Sequence, residues 1–158
     1  GAKGNEGVAN MTAQTGGAIG YVEYAYAKQN KMAYADLINK AGKTVAPEAE
    51  AFQAAAANAD WAHAPGYHLI LTNQAGEKSW PITGVSFILV YSVPPDPAAT
   101  GAALTFFDWA YDNGGKMAAD LDYVPLPESL IKQVRTTWKT EIKGASATAS
   151  APSEKKRM

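Results

Sequence analysis

The stretch AIGYVEYAYAKQN, Ala18–Asn30, predicts the fold class because its pattern changes in the middle. Residues 18–23, which include Ile19 and Tyr21, form the apolar run of a short buried strand. The alanines of the second half favour a helix slightly over a continued strand. Three tyrosines beside one glutamate also suit a ligand cleft or a sugar-stacking surface. The strand interpretation predicts that Tyr21 is half-buried with its hydroxyl bonded.

Strand and helix patterns alternate on both sides of this stretch. Strands are predicted at residues 32–38, 44–45, 68–71 and 82–93, and helices at 8–15, 47–60, 97–112, 116–121 and 127–142. Asp96 and Pro97, for example, predict an N-cap followed by a first-turn proline. The order is that of an α/β protein with its helices gathered towards the end. The pattern turns from helix-rich to strand-rich between Gly66 and Gly76, the best internal boundary.

Composition narrows the possible functions. The chain has 158 residues, a net charge of −1 and no cysteine. It is long enough for a compact core, gives no electrostatic case for nucleic acid, and has neither a disulfide frame nor a thiolate metal site. No apolar run reaches the ~18 residues of a transmembrane helix. No signal peptide is visible and the chain starts with Gly1 and not with Met, so the chain was processed or is part of a longer protein, and we expect the second.

Three glycines, Gly1, Gly4 and Gly7, lie around the start of the first predicted helix. Backbone N–H groups at a helix start can bind an anion. The pattern lacks the Gly-Lys-Ser/Thr end of a P-loop, and Glu6 would repel a phosphate. A tight turn is therefore the favoured interpretation, with Asn5 acting as a cap.

Residues suited to metal binding or catalysis are scattered. His63 and His68 straddle a turn and lack the spacing of a helical metal pair. The serines have no GxSxG context, and the aspartates resemble solvated surface acids. We therefore expect no enzyme, no metal and no cofactor.

The tryptophans could either stack on sugars or pack in a core. They are Trp61, Trp80, Trp109 and Trp138. Aromatic rings serve both purposes, and each ring that is buried removes a large apolar area from water. Core packing is the favoured interpretation, and it leaves a carbohydrate-binding module as an alternative.

Four sequence segments resemble those of one protein family. GAIGYVEYAYAKQN, WPITG, FFDWAYDNGGK and DLDYVPLPES occur in that order. Together they resemble the C-terminal half of the periplasmic phosphate-binding proteins, PstS type, of bacterial ABC phosphate-uptake systems. The resemblance runs from about Gly4 to about Ile142.

This resemblance implies an α/β fold of the type II periplasmic binding protein class, of which the chain is the C-terminal part. Residues 1–66 are expected to end the second lobe, residues 67–143 to complete an otherwise incomplete first lobe, and residues 144–158 to form a disordered tail. The family binds inorganic phosphate between two lobes in the periplasm and delivers it to a membrane permease. It is not enzymatic, and transport is its role.

The sequence departs from the family at the phosphate site. The family's direct ligands lie on a Thr-Phe loop, on a serine and an aspartate, and on an Arg…Ser-Gly-Thr loop. All of these lie upstream of the segment that matches AKGNEG, residues 2–7 here. The internal arginine, Arg135, belongs to the last helix. No direct ligand is therefore carried over, and Gly4, Asn5 and Tyr21 remain as ligand-binding candidates near the cleft.

Three functions follow as hypotheses: a fragment of a phosphate-binding protein, a structural or interaction module derived from that fold, and a carbohydrate-binding module. The first predicts a complementary N-terminal half as a partner. With the opening strands of the first lobe missing, strand 82–93 would have unpaired edges. We expect the chain alone to be poorly stable, to dimerise or to bind that half.

Overall fold

A computed structural model describes residues 1–144, so the predicted tail beyond Gly144 lies outside the described residues. The helices are α1 Gly4–Gln14, α2 Tyr24–Gln29, α3 Ala49–Ala57, α4 Pro97–Asn113, α5 Gly115–Asp120 and α6 Glu128–Glu141. The strands are β1 Leu37–Ile38 and β2 Thr44–Val45, and 3-10 turns occupy Trp61–His63 and Pro65–Tyr67. The described part of the chain is helix-rich with one small sheet.

The predicted helices form where local signals are strongest. At α4, Asp96 Oδ1 accepts the Ala99 N–H at 2.9 Å and Pro97 takes the first helical position. This cap satisfies one of the N–H groups that every helix start leaves unpaired. Gly114 ends the helix, as the Asn-Gly-Gly sequence predicts. No helix within residues 1–144 is long and apolar enough to cross a membrane.

Most of the predicted strands are wrong. The hairpin is present, with Leu37 opposite Val45 in an antiparallel pair, but its first strand is only Leu37–Ile38 and not residues 32–38. Residues 18–23 and 68–71 are not strands, and 82–93 contributes only an isolated bridge between Thr72 and Ile82. A strand is stable only when a neighbour accepts and donates its backbone hydrogen bonds. In the described part of the chain, these apolar runs have no such neighbour.

The described chain divides into two compact units. Unit 1 comprises residues 1–85 and 116–127, and unit 2 comprises residues 86–115 and, of the described residues, 128–144. The chain therefore passes from one unit to the other three times. The domain boundary predicted near Gly66 remains a prediction.

Unit 1 is organised around a buried amide. The Asn39 side chain, 5% exposed, donates to the carbonyl oxygens of Gly76, Glu77 and Ser79 at 2.8–3.2 Å. Its Oδ1 accepts two backbone N–H groups of the β1–β2 turn, from residues 41 and 43. One side chain thus joins the hairpin turn to the loop at residues 76–79. Gly76 (φ +109°) has to be glycine, since a Cβ there would lie 2.5 Å from the Asn58 amide nitrogen.

Aromatic rings form the second core feature of unit 1. Tyr24 packs on Phe52 with ring centroids 5.7 Å apart, and Phe52 packs edge-on against Trp80 at 6.1 Å. Trp61 is buried and donates its indole N–H to the Ala56 carbonyl at 2.7 Å. Core packing is thereby confirmed for Trp61 and Trp80.

In unit 2, α4 and α6 are joined by an ion-pair network and a ring stack. Arg135 reaches Asp108 Oδ1 and Asp112 Oδ1, both at 2.7 Å. The rings of Tyr111 and Trp138 stack with centroids 5.8 Å apart. Trp109 on α4, by contrast, is 45% exposed, so its predicted burial in the core is wrong.

Candidate functional site

The residues predicted to approach a ligand lie at the start of α1 and before α2. Gly4 begins α1 with φ +67°, and Lys3 before it makes no side-chain cap. The Asn5 side-chain oxygen accepts the Glu23 N–H at 3.0 Å. Asn5 therefore does not cap its own helix but holds the first turn of α1 against the start of α2.

Tyr21 lies apart from this contact. Its side chain is 88% exposed, so the prediction of a half-buried residue on a strand is wrong. The physical reason is the missing neighbour strand, because residues 18–23 have no regular secondary structure and pair with no strand of the described chain. Whether Gly4, Asn5 and Tyr21 touch a ligand stays a prediction.

A cluster of tyrosines and acids, comprising Glu23, Tyr24, Lys28, Tyr34, Asp122 and Tyr123, surrounds α2. Lys28 Nζ contacts Asp122 Oδ1 at 2.5 Å. The hydroxyl of Tyr123 donates to Glu23 Oε2 at 3.4 Å. Asp122 lies in the left-handed region at φ +64°, which Asp tolerates better than most residues. The segment after α5 is thereby fixed to α2.

Every titration shift in this tyrosine–acid cluster favours the protonated form. The hydrogen bond to Asp122 and its charge raise the pKa of Lys28. Burial, together with a hydrogen bond between Tyr24 and Tyr34, raises the pKa of Tyr24. The charge of Glu23, with burial and their hydrogen bond, raises the pKa of Tyr123. At neutral pH the lysine is a cation and both phenols are neutral, which suits a cluster that positions a segment and does not suit one that supplies a nucleophile or a base.

The Lys28–Asp122 pair could not be found from the sequence. Its partners are 94 residues apart, in two separate sequence segments. The only local signal is the DLDYVP segment, in which Asp122 stands after a helix and before a proline-containing loop. An aspartate between a helix and such a loop favours a turn in which the aspartate takes the left-handed conformation.

The Arg135 side chain is bonded to residues of α4 in unit 2. In addition to its two carboxylate partners, its guanidinium donates to the Asp108 backbone carbonyl at 3.3 Å. The hydrogen bonds that the guanidinium donates to Asp112 and Asp108 raise the pKa of the arginine further. Its position on α6 agrees with the prediction that it is not the arginine of a phosphate-binding loop.

The histidines do not form a metal centre with each other. His63 Nδ1 lies 2.8 Å from the Asp60 carboxylate, and both side chains are exposed. Within residues 1–144 no group of three His, Cys, Asp or Glu side chains is arranged to hold a metal ion.

Comparison with known proteins gives a consistent result. No family model matches the chain. It is 54% identical over 145 residues, 92% of its length, to the phosphate-binding protein PstS of Pasteurella multocida. The same protein of Xylella fastidiosa is 52% identical over 143 residues, and that of Methanocaldococcus jannaschii is 32% identical over 142. The predicted resemblance to phosphate-binding proteins is confirmed.

The chain spans only about two fifths of the length of these relatives: 42% of the Pasteurella PstS, 39% of the Xylella PstS and 36% of the Methanocaldococcus PstS. At 54% identity over nearly the whole chain, the similarity extends through both compact units. It includes the segments that hold Asn39 and the tyrosine–acid cluster.

Proposed function

We propose that this chain is part of the phosphate-binding component of an ABC phosphate-import system. The observation that carries the proposal is the identity of 51–54% to bacterial proteins named phosphate-binding protein PstS, over at least 90% of the chain. The proposed fold is the C-terminal part of a two-lobed type II periplasmic binding protein. The proposed place of action is the periplasm, and the proposed partners are inorganic phosphate and a membrane permease.

The described residues suit a supporting role in such a protein. A buried phosphate is held by charge-assisted hydrogen bonds, with arginine the favoured cation. The arginine of α6 is already paired with Asp108 and Asp112, and Lys28 with Asp122. These cations stabilise the two units and are not free for an anion.

The direct phosphate ligands are therefore proposed to lie on the part of the longer protein that this chain does not cover. A complementary N-terminal half would supply them, and this chain would supply the scaffold. Binding is proposed without catalysis, because the shifted groups at α2 are held in their unreactive protonated forms. Neither the interaction-module nor the carbohydrate-binding alternative is favoured by the relatives.

Calorimetric titration with phosphate near neutral pH tests the proposal. The chain of 158 residues is expected to give no saturable heat, while the longer protein that contains it is expected to bind phosphate and ignore sulfate. The matched control is the longer protein with the arginine of its Arg…Ser-Gly-Thr loop replaced by alanine, which should lose binding.

Two outcomes would contradict the proposal. If the longer protein fails to bind phosphate, the function is wrong. If the chain of 158 residues binds phosphate saturably, the proposal that the direct ligands lie outside it is wrong. The first turn of α1 is then the site to test, with Asn5→Ala.

A further inference from the structure

The end of α4 carries the dipeptide Asn113-Gly114, the one Asn-Gly pair in the sequence. Asparagine is among the thermally labile residues of proteins, because the backbone nitrogen of the next residue can attack its side-chain amide carbon. The attack is least hindered when the next residue is glycine, which has no Cβ beside that nitrogen. Every other asparagine of the chain precedes a residue with a side chain. Asn113 is therefore the asparagine whose local sequence most favours deamidation.

Deamidation at this pair needs water and no other co-reactant. The Gly114 nitrogen loses its proton to solvent and forms a bond to Asn113 Cγ, while the side-chain nitrogen takes up a proton and leaves as ammonia. The product is a cyclic imide. Water then adds to either carbonyl of the imide and breaks the bond from that carbonyl to the ring nitrogen. The residue at position 113 becomes aspartate or isoaspartate, and nothing is oxidised or reduced.

The fold holds both reacting groups in hydrogen bonds. The Gly114 N–H donates to the Ala110 carbonyl at 2.7 Å, and the Asn113 side-chain amide donates to the Trp109 carbonyl at 2.9 Å. Gly114 itself keeps right-handed helical angles, with φ −84° and ψ −10°. Both bonds must break before the Gly114 nitrogen can reach Asn113 Cγ, so the closed end of α4 opposes the reaction.

The same helix end requires the glycine. A Cβ at position 114 would lie 2.6 Å from the Ala110 carbonyl oxygen, a separation that real Cβ atoms essentially never show. The next helix, α5, begins immediately afterwards at Gly115. The tight junction between α4 and α5 thus needs at position 114 the residue that makes Asn113 reactive.

An ion pair with α6 holds the end of α4 closed. Arg135 Nη2 donates to Asp112 Oδ1 at 2.7 Å, and Arg135 Nε donates to Asp108 Oδ1 at 2.7 Å. Asp112 directly precedes Asn113. Local opening of a helix end costs less free energy than global unfolding. The Arg135 contacts therefore reduce how often the last turn of α4 opens.

Either product of deamidation would disfavour the closed end. It places a carboxylate at the last residue of α4, beside Asp112 and at the negative end of the helix dipole. A carboxylate also cannot donate to the Trp109 carbonyl as the Asn113 amide does. Isoaspartate, in addition, lengthens the backbone by one carbon at the junction with α5. A modified α4 end is therefore less able to close again.

We propose that Asn113-Gly114 is a latent modification site, which the closed end of α4 protects and which deamidates when that end opens. Because the products disfavour closing, opening and modification promote each other. The proposal rests on the Asn-Gly pair, the two hydrogen bonds and the ion pair with Arg135. It depends neither on an exposed surface nor on phosphate binding.

Trypsin isolates the site for mass spectrometry. Cleavage after Lys78 and Lys116 releases residues 79–116, in which Asn113 is the single asparagine and glutamine is absent. A deamidation mass gain of this peptide therefore belongs to Asn113, and a sample digested before incubation corrects for reaction during digestion. At mildly alkaline pH the rate in the folded chain is expected to be lower than in guanidinium chloride by about tenfold or more, equivalent to an opening free energy of at least about 1.4 kcal/mol.

Arg135→Ala is expected to raise the rate in the folded chain several-fold. Lys132→Ala, on the same helix, is the matched control and should leave the rate unchanged, because the contact of Lys132 with Glu128 is long and exposed. In guanidinium chloride both variants should react at the parent rate. Asn113→Gln keeps an amide but is expected to abolish the mass gain, since its longer side chain cyclises far less readily.

Three outcomes would overturn the proposal. They are equal rates in the folded and the unfolded protein, a rate in Arg135→Ala no higher than in Lys132→Ala, and faster deamidation of a peptide other than 79–116 in guanidinium chloride. Far-UV circular dichroism establishes which samples are folded. The same peptide is followed in the longer protein that contains this chain, so the test also holds for a variant that fails to fold alone.

Discussion

Lys28 on α2 and Asp122 after α5 form an ion pair of 2.5 Å across 94 residues of sequence. The aspartate side chain is largely buried and its backbone is left-handed, at φ +64°. The contact therefore combines a charge interaction with a demanding backbone conformation. These two contributions can be separated by substitution.

Asp122→Asn and Asp122→Ala are expected to destabilise the protein to different extents. Both remove the charge that faces Lys28. Asparagine tolerates a positive φ, whereas alanine pays the cost of the left-handed conformation, so we expect alanine to be worse by about 1 kcal/mol. Urea unfolding followed by circular dichroism measures the difference. Asp122→Gly is the control that removes the pair and relieves the backbone, and a glycine variant less stable than the alanine variant would contradict the backbone argument.

Asn39→Asp should be strongly destabilising although the side chain hardly changes in shape. The amide group donates to three carbonyl oxygens, and a carboxylate would place a negative oxygen among them. Leaving buried groups unsatisfied beside a charge costs about 2–4 kcal/mol. The free energy of unfolding at neutral pH checks this expectation. Asn10→Asp, on the exposed surface of α1, is the matched control, and equal effects at both sites would refute the role given to Asn39.

Arg135→Lys is expected to lower stability by about 1 kcal/mol, because lysine cannot reproduce the fork that bonds Asp108 and Asp112. The partners are partly exposed, which limits the effect. Lys132→Ala is the control on the same helix, since the contact of Lys132 with Glu128 is 3.8 Å long and exposed. Denaturant midpoints compare the variants. If both changes have the same small effect, the network does not stabilise the packing of α4 with α6.

Stability should fall at alkaline pH through the groups around α2. Burial raises the pKa of Tyr24 above its ordinary value of 10.0, and Asp122 raises that of Lys28 above 10.5. A group whose pKa is higher in the folded state stabilises the protein fully below its unfolded value, and this contribution is lost as the pH rises through the folded value. We therefore expect the free energy of unfolding to decline above about pH 10.

Tyr24→Phe should reduce that alkaline decline, because it removes one of the groups around α2 whose pKa is raised in the folded protein. Unfolding curves between neutral pH and pH 11 measure it, with Tyr21→Phe as the control that removes an exposed phenol. A decline of unchanged size in Tyr24→Phe would show that Tyr24 does not contribute to it.

The sequence predicted those elements whose signals are local. Asp96 and Pro97 mark the start of α4, and the apolar spacing of α6 is visible in its own fourteen residues. The β1–β2 hairpin was predictable because its turn lies between its strands. Residues 82–93 have the composition of a strand, but a strand also needs a partner, and composition does not say where the partner lies.

The same distinction applies to the candidate site. The first helix was predicted from residue 8 with Asn5 as a cap, but it begins at Gly4, and the contact of Asn5 with Glu23 was not predictable. Tyr21 was expected to be half-buried because apolar runs usually are, yet its burial depends on a neighbour that the described chain does not supply. Asp122 has no partner nearby in sequence, so only the folded structure identifies its role.

The chain passes between the two units after Val85, after Gly115 and after Pro127. These three passages limit where the chain can be truncated without loss of contacts. A polypeptide ending at Gly115 would lack Asp122 and Tyr123, the partners of α2, and also α6 with its arginine. Truncation at Gly115 would thus remove contacts from both units. Ribosomes must synthesise nearly all of the described sequence before either unit has its full set of contacts, so neither unit can complete its folding early during translation.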